Sequence, residues 1–252
     1  MTSSPTGRGD FESVDVGEAE AHVWLLRDHE MASLADVAED WLSAEELARA
    51  DRLRSADKAS MFRRSHAFVR WVLSQHAEVE PLEWSIEVSE RGRPELAPHH
   101  EDLGLRFNLS HTAGLVGVVV TRESDCGIDV ENLEGVEDPL RLMSRVFAPS
   151  ERAQVEGAVA AERRRLFYVF WTLKESYIKA RGLGLAVPLR EFAFDLASTR
   201  PCVSFSERID DRSDAWQFWS WPESSRHHVS VAVRSPVELQ VVVHDRPGVR
   251  SA

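Results

Sequence analysis

The chain has 252 residues, 43% hydrophobic and 29% charged, with a formal net charge of −12. That length allows one large domain or two small ones with a real core. The acidic balance argues against nucleic-acid binding, which rests on phosphate neutralisation by Lys and Arg.

Residues 1–18 are expected to be disordered, as is a tail over 244–252. The N-terminus lacks the apolar core of a signal peptide. No apolar run approaches the ~20 residues of a membrane span. Cys126 and Cys202, with no CxxC spacing, imply a reducing compartment, so a cytoplasmic protein without membrane attachment is expected. Ala21 to Leu26 reads as a first strand, and Ser43 with Glu46 forms a capping box before a basic helix carrying Arg49, Arg63, Arg64 and Arg70. Met61 to His76 continues helical, and Trp84 to Val88 alternates like a strand. Ser89 to Glu101 is irregular, broken by Gly92, Pro94 and Pro98. Leu105 to Leu109 and Leu115 to Thr121 read as strands flanking a turn of Ser110, His111, Thr112, Ala113 and Gly114.

Gly127 to Glu131 alternates apolar and acidic residues as a strand does. Helices follow over Pro139 to Phe147, Pro149 to Val159 and Glu162 to Arg181, the last stopped by Gly182 and Gly184. Strands are expected at Phe192 to Asp195, Val203 to Phe205, Trp216 to Trp221, His228 to Val233 and Leu239 to Val243. Each half is strand, helices, then antiparallel strands. The fold class is therefore α+β: two similar lobes, 19–125 and 126–243, each an antiparallel sheet packed with helices.

Two segments carry chemistry. On a strand, Asp129 and Glu131 project from one face, either as a plain solvent face or as ligands for a hard cation such as Mg²⁺. On the long helix, Trp171, Glu175 and Lys179 stack at i, i+4 spacing. That helix also carries Phe167, Phe170 and Ile178, so it is largely buried, and buried charges are costly unless paired. Ser110 and His111 are either a structural turn or an exposed imidazole and hydroxyl offered to an anion. The aromatic run Trp216 to Trp221 reads as core packing between the lobes.

In order along the chain stand Gly92-Arg93-Pro94, Phe107-Asn108-Leu109-Ser110-His111-Thr112, Gly127-Ile128-Asp129-Val130-Glu131 and Phe170-Trp171-Thr172-Leu173-Lys174-Glu175-Ser176-Tyr177-Ile178-Lys179. This closely resembles the 4′-phosphopantetheinyl transferases of the surfactin-synthetase-activator type. The resemblance implies a monomeric enzyme of two related lobes, with the active site in the cleft between them, that moves the phosphopantetheine arm of coenzyme A onto a serine of an apo acyl or peptidyl carrier protein, releasing 3′,5′-ADP. It further implies Mg²⁺ on Asp129, Glu131 and Glu175, with Asp129, Glu175 and Lys179 as the catalytic group. Coenzyme A contacts would come from Arg49, Arg70, Arg93, Ser110, His111, Lys174 and Lys179. Two departures stand out: Arg93 replaces the family's usual Lys, and Glu46 occupies a position that is basic in the prototype. The segment Leu140 to Val159, with Arg141, Arg145, Phe147 and Arg152, is the expected carrier-docking face. A binding module that had lost catalysis would lack Asp129, Glu175 or Lys179, and a two-metal phosphodiesterase would need further His or Asp ligands.

Overall fold

One run of elements occurs twice along this chain. The structure, a computed structural model, describes residues 14–35, 38–182, 184 and 187–245. The first run opens with β1 (Glu20–Arg27), followed by the short helices α1 (Asp28–Ala35), α2 (Ala38–Trp41) and α3 (Ala44–Asp51) and the long α4 (Ala56–His76). It continues with the hairpin β2 (Ile86–Val88) and β3 (Pro94–Leu96), then β4 (Leu105–Thr112) and β5 (Leu115–Arg122). The second run is β6 (Cys126–Asn132), α5 (Met143–Val146), α6 (Pro149–Gly157) and the long α7 (Ala160–Arg181), then the hairpin β7 (Phe192–Asp195) and β8 (Cys202–Phe205). It closes with β9 (Trp216–Pro222) and β10 (His227–Arg234), after which comes β11 (Gln240–Asp245).

The sheets form accordingly, in the orders β11-β1-β5-β4 and β6-β10-β9. All pairings in them are antiparallel except β1 with β11. The inner faces of the two sheets meet in an aliphatic layer of Val23, Leu25, Val119, Ile128, Val130, Val229 and Val231, with Trp219 and Trp221 against it. The outer face of the first sheet packs under α4 through Trp24, Val118, Phe107, Phe68 and Trp71. The outer face of the second packs under α7 through Phe167, Phe170, Tyr177 and Phe218. The layers therefore run helix, sheet, sheet, helix.

Local signals place the boundaries. The Ser43 hydroxyl accepts from Glu46 N while the Glu46 carboxylate accepts from Ser43 N, so the capping box starts α3. Gly182, at φ 61°, ends α7 in the left-handed conformation that glycine adopts most easily.

Several expectations change. Ser110, His111 and Thr112 belong to β4, and only Ala113 and Gly114 make the turn. The strand before β3 begins at Ile86, with Trp84 buried ahead of it. The stretch expected to be irregular contains β3 and a 3₁₀ turn over Pro98–Leu103. Pro139–Leu142 is a 3₁₀ turn leading into α5. Within the segment expected to be disordered, Val14 donates to Gln75 O at 2.8 Å and Val16 is fully buried; residues 1–13 and 246–252 lie outside the described residues. β11 returns to pair with β1, so a cut at residue 125 does not give two self-contained halves.

Candidate active site

The site is built where α7 crosses β6. On β6 the residues facing α7 are Gly127, Asp129 and Glu131, since alternate side chains share a face. α7 approaches so closely at Gly127 that a Cβ there would lie 2.1 Å from Ser176 O and 2.5 Å from Ala180 N. The four-residue step from Gly127 to Glu131 spans about 13 Å of strand, and the nine residues from Ala180 back to Trp171 span about 13 Å of helix. The two elements therefore run antiparallel in register, and helical side chains leaning toward the N-terminus reach their partners on the strand. From Trp171 to Ala180 only Trp171, Glu175 and Lys179 escape full burial. The i, i+4 stripe is thus the one face of this stretch open to solvent.

Each member of the stripe meets the strand differently. Lys179 Nζ donates to Asp129 Oδ1 at 2.7 Å, to Ser110 Oγ at 2.8 Å and to Ile128 O at 3.1 Å. Trp171 Nε1 donates to Glu131 Oε1 at 3.0 Å. Glu175 has no hydrogen-bond partner among the described residues and lines a 230 Å³ cavity together with Lys179, Ile178, Asn108, Leu109 and Arg93. The second Asp129 oxygen, Oδ2, is buried without a hydrogen-bond partner among the described residues.

Electrostatics follow from that crowding. Burial raises the Asp129 carboxyl, with Lys179 and Ser110 opposing. Burial and then the Asp129 charge push Glu131 up to about 7. The same two causes, in the same order, raise Glu175. Three carboxylates share one ammonium, leaving negative charge uncompensated.

Ser110 works from the neighbouring sheet. β4 and β6 are edge strands of different sheets, and side chains bridge them instead of a backbone ladder. Asn108 Oδ1, Ser110 Oγ and Thr112 Oγ1 accept from the backbone N–H groups of Ile128, Val130 and Asn132 at 3.0, 3.2 and 3.3 Å. Ser110 Oγ also donates to Asp129 Oδ1 at 3.0 Å. Its hydroxyl joins the seam to the carboxylate and to Lys179. His111 lies one residue on, on the opposite side of β4, and is exposed.

Two basic residues expected at the ligand are instead structural. Lys174 has a fully buried side chain, 2.9 Å from the equally buried Glu151, and donates to Leu189 O and Phe192 O at 2.8 and 2.6 Å. Burial draws its ammonium down to about 8, with Glu151 pulling the other way. Glu151 also accepts from Ala148 N and Phe194 N, so the pair joins α6, α7 and β7. Lys174→Met is expected to destabilise the fold by ~3–5 kcal/mol, because it strands a buried carboxylate. In a thermal melt that is a fall of about 6–20 °C; a melt within 2 °C of wild type would contradict the assignment. Arg70, 2% exposed, donates to Glu46 and to Pro81 O and Trp84 O, pinning the chain after α4.

Glu46 also takes a hydrogen bond from His66 at 2.9 Å. Burial works to raise its carboxyl, but the His66 bond and the Arg70 charge hold it down to about 2. The acidic residue in this basic helix is therefore a clamp for α4. Arg49 remains exposed, its guanidinium 5.4 Å from the Phe62 ring centre. Arg93 lies in the cavity wall, donating to Ala180 O at 2.8 Å near the end of α7, with its buried Nε 3.7 Å from Glu95 Oε1. The sequence did not single out Glu151, Asn108 or Thr112, nor Trp171 as a donor to Glu131. Short polar residues at period two in β4 were the available signal for the seam.

A family model described as the 4′-phosphopantetheinyl transferase superfamily matches residues 125–232, from β6 through α7 into β10. The 4′-phosphopantetheinyl transferase HetI of Nostoc sp. is 33% identical over 183 residues, covering 72% of this chain and 76% of that protein. The 4′-phosphopantetheinyl transferase Sfp of Bacillus subtilis is 30% identical over 51% of this chain and 54% of its own length. A solved holo-(acyl-carrier-protein) synthase from Bacillus anthracis aligns with 44% of this chain and 94% of its own, at 22% identity and a TM-score of 0.37. With the acidic strand and the Lys-Glu helix both inside the matched region, this chain belongs to the 4′-phosphopantetheinyl transferase superfamily and is a transferase enzyme.

Proposed function

We propose that the enzyme transfers the 4′-phosphopantetheine arm of coenzyme A to a serine hydroxyl of an apo acyl or peptidyl carrier protein, with Mg²⁺ held by Asp129, Glu131 and Glu175. The observation that carries the reading is the set of three carboxylates and Lys179 gathered across β6 and α7 beside the cavity. Among the described residues no three His, Cys, Asp or Glu side chains form a ready cage. Mg²⁺, however, favours one or two carboxylates with waters and phosphate oxygens. The donors fit it: all are hard oxygens, Asp129 Oδ2 is buried without a hydrogen-bond partner among the described residues, and the Asp129 charge raises both Glu131 and Glu175. When bound there, Mg²⁺ would neutralise charge on the pyrophosphate.

The chain's own groups account for the rest. Lys179, partly exposed and resting on Asp129, can turn its ammonium to the transferring phosphate. Glu175, unpaired and raised, takes the serine proton. The serine oxygen bonds to the β-phosphorus, the bridging P–O bond breaks, and its electron pair leaves on 3′,5′-ADP. Arg93, Arg49 and the exposed His111 remain the coenzyme A contacts in this reading. The repeated order of strand, long helix, hairpin and two strands supports two related lobes with the cavity in the cleft between them. For carrier docking, Arg141, Arg145 and Arg152 are exposed or partly so, while Phe147 is fully buried and drops out.

Incubation with Mg²⁺, coenzyme A and apo carriers of both classes should add one phosphopantetheine mass to a carrier; no mass gain on any carrier would sink the proposal. A second expectation concerns pH. Glu131 lies at about 7 in the fold against 4.5 ordinarily, so its contribution to the metal-free protein is fully present below about 4.5 and lost as pH rises through 7. Added Mg²⁺ should therefore raise the melting temperature more at pH 8 than at pH 6, and an equal rise at both would contradict it.

A further inference from the structure

We infer that Trp171 is the positioning residue for Glu131: its indole N–H fixes the carboxylate in the orientation that receives the divalent cation. The inference rests on the metal reading above, and the experiment below separates their failures.

Asp129 is anchored from two sides, by Lys179 and by Ser110. Glu131 stands two residues further along β6, partly exposed, on a longer side chain with more rotatable bonds. Among the described residues, one hydrogen-bond donor reaches its carboxylate, Trp171 Nε1 at 3.0 Å. Trp171 is itself held rigid. Its ring stacks on Phe167, centroids 6.3 Å apart and planes 11° from parallel, and it packs against the core beneath α7. The donor comes from the same stripe that presents Glu175 and Lys179, one helical turn and two turns further on. A single rigid helix thus sets the spacing of all the groups on one side of the site.

An indole suits the task because it donates a single hydrogen bond and accepts none. It occupies Oε1 and leaves Oε2 to a ligand. A Lys or Arg in its place would neutralise the carboxylate that the cation needs. Partners that orient metal-binding carboxylates typically contribute ~10–100-fold to metal affinity.

The test uses Mn²⁺ as probe, titrated into the full chain with coenzyme A present and read as free Mn²⁺ by electron paramagnetic resonance. Wild type, Trp171→Phe, Glu131→Gln and the double variant are compared. Phenylalanine keeps an aromatic ring against Phe167 and removes the N–H together with part of the indole, a loss at a half-buried position that should leave the metal-free melting temperature within a few degrees of wild type. Trp171→Phe should weaken Mn²⁺ binding by ~10–100-fold. In the Glu131→Gln background the same change should cost nothing more, because the partner it acts through is gone. Wild-type affinity in Trp171→Phe overturns the inference while the metal reading stands. An equal loss in both backgrounds overturns it too, assigning the effect to general damage. No Mn²⁺ binding by wild type overturns both.

Discussion

Gly127→Ala is expected to lower the melting temperature by roughly 10 °C, the fall that ~3 kcal/mol or more produces in a chain of this size. An alanine Cβ would meet Ser176 O at 2.1 Å, Ala180 N at 2.5 Å and Ala180 Cα at 3.1 Å. All three are backbone atoms of α7, so no side chain can swing aside. The helix must retreat by about an ångström, and retreat opens the layer of Phe167, Phe170 and Tyr177 beneath it. It also draws Glu175 and Lys179 away from Asp129 and Glu131. Activity should therefore fall further than stability alone explains, even at temperatures where the variant is folded. Melts by circular dichroism, beside transfer rates well below the midpoint, check both parts. A variant melting within 2 °C of wild type would mean that α7 does not rest on β6 at this glycine.

The same contact explains how much of the site was legible in the sequence. Strand period two and helix period 3.6 are local properties, so Asp129 with Glu131, and Trp171 with Glu175 and Lys179, could be placed on common faces without knowing the fold. The glycine of the strand motif is the point that lets those faces meet. Charges facing inward were less legible. Lys174 looks like a surface ammonium by residue type, and only its neighbours at helical spacing (Phe170, Tyr177 and Ile178) mark it as buried. Its partner Glu151 lies 23 residues away on α6, a separation that periodicity does not span. Arg70 is the same case: its partners Glu46, Pro81 and Trp84 come from before and after α4. The β4–β6 seam was hidden for another reason. A strand normally pairs through its backbone, whereas here Asn108, Ser110 and Thr112 do so with side chains, and a run containing Ser and His reads as a turn. The parallel return of β11 to β1 is a long-range pairing that no short motif announces.

Asp129→Asn should separate stability from activity. Asparagine keeps the shape of the side chain and removes the charge. In the fold that charge is unfavourable: burial raises the carboxyl, Oδ2 has no hydrogen-bond partner among the described residues, and the Asp129 charge raises both Glu131 and Glu175. Lys179 loses an ionic partner, but its side chain is 27% exposed and can turn to water, and Ser110 Oγ and Ile128 O still accept from it. The metal-free variant should consequently melt at or above the wild-type temperature. Transfer should fall by ~10²–10³-fold or more, the scale seen when one preorganised charge-stabilising group is removed from an active site. Glu131 should meanwhile titrate below its wild-type value of about 7, since the Asp129 charge is one of the two largest causes holding it there. The decisive comparison is therefore a melt and a rate on the same preparation. A variant that loses stability along with activity would identify Asp129 as a structural partner of Lys179. A variant that keeps its stability and loses transfer identifies a carboxylate held in a place that costs the fold and serves the reaction.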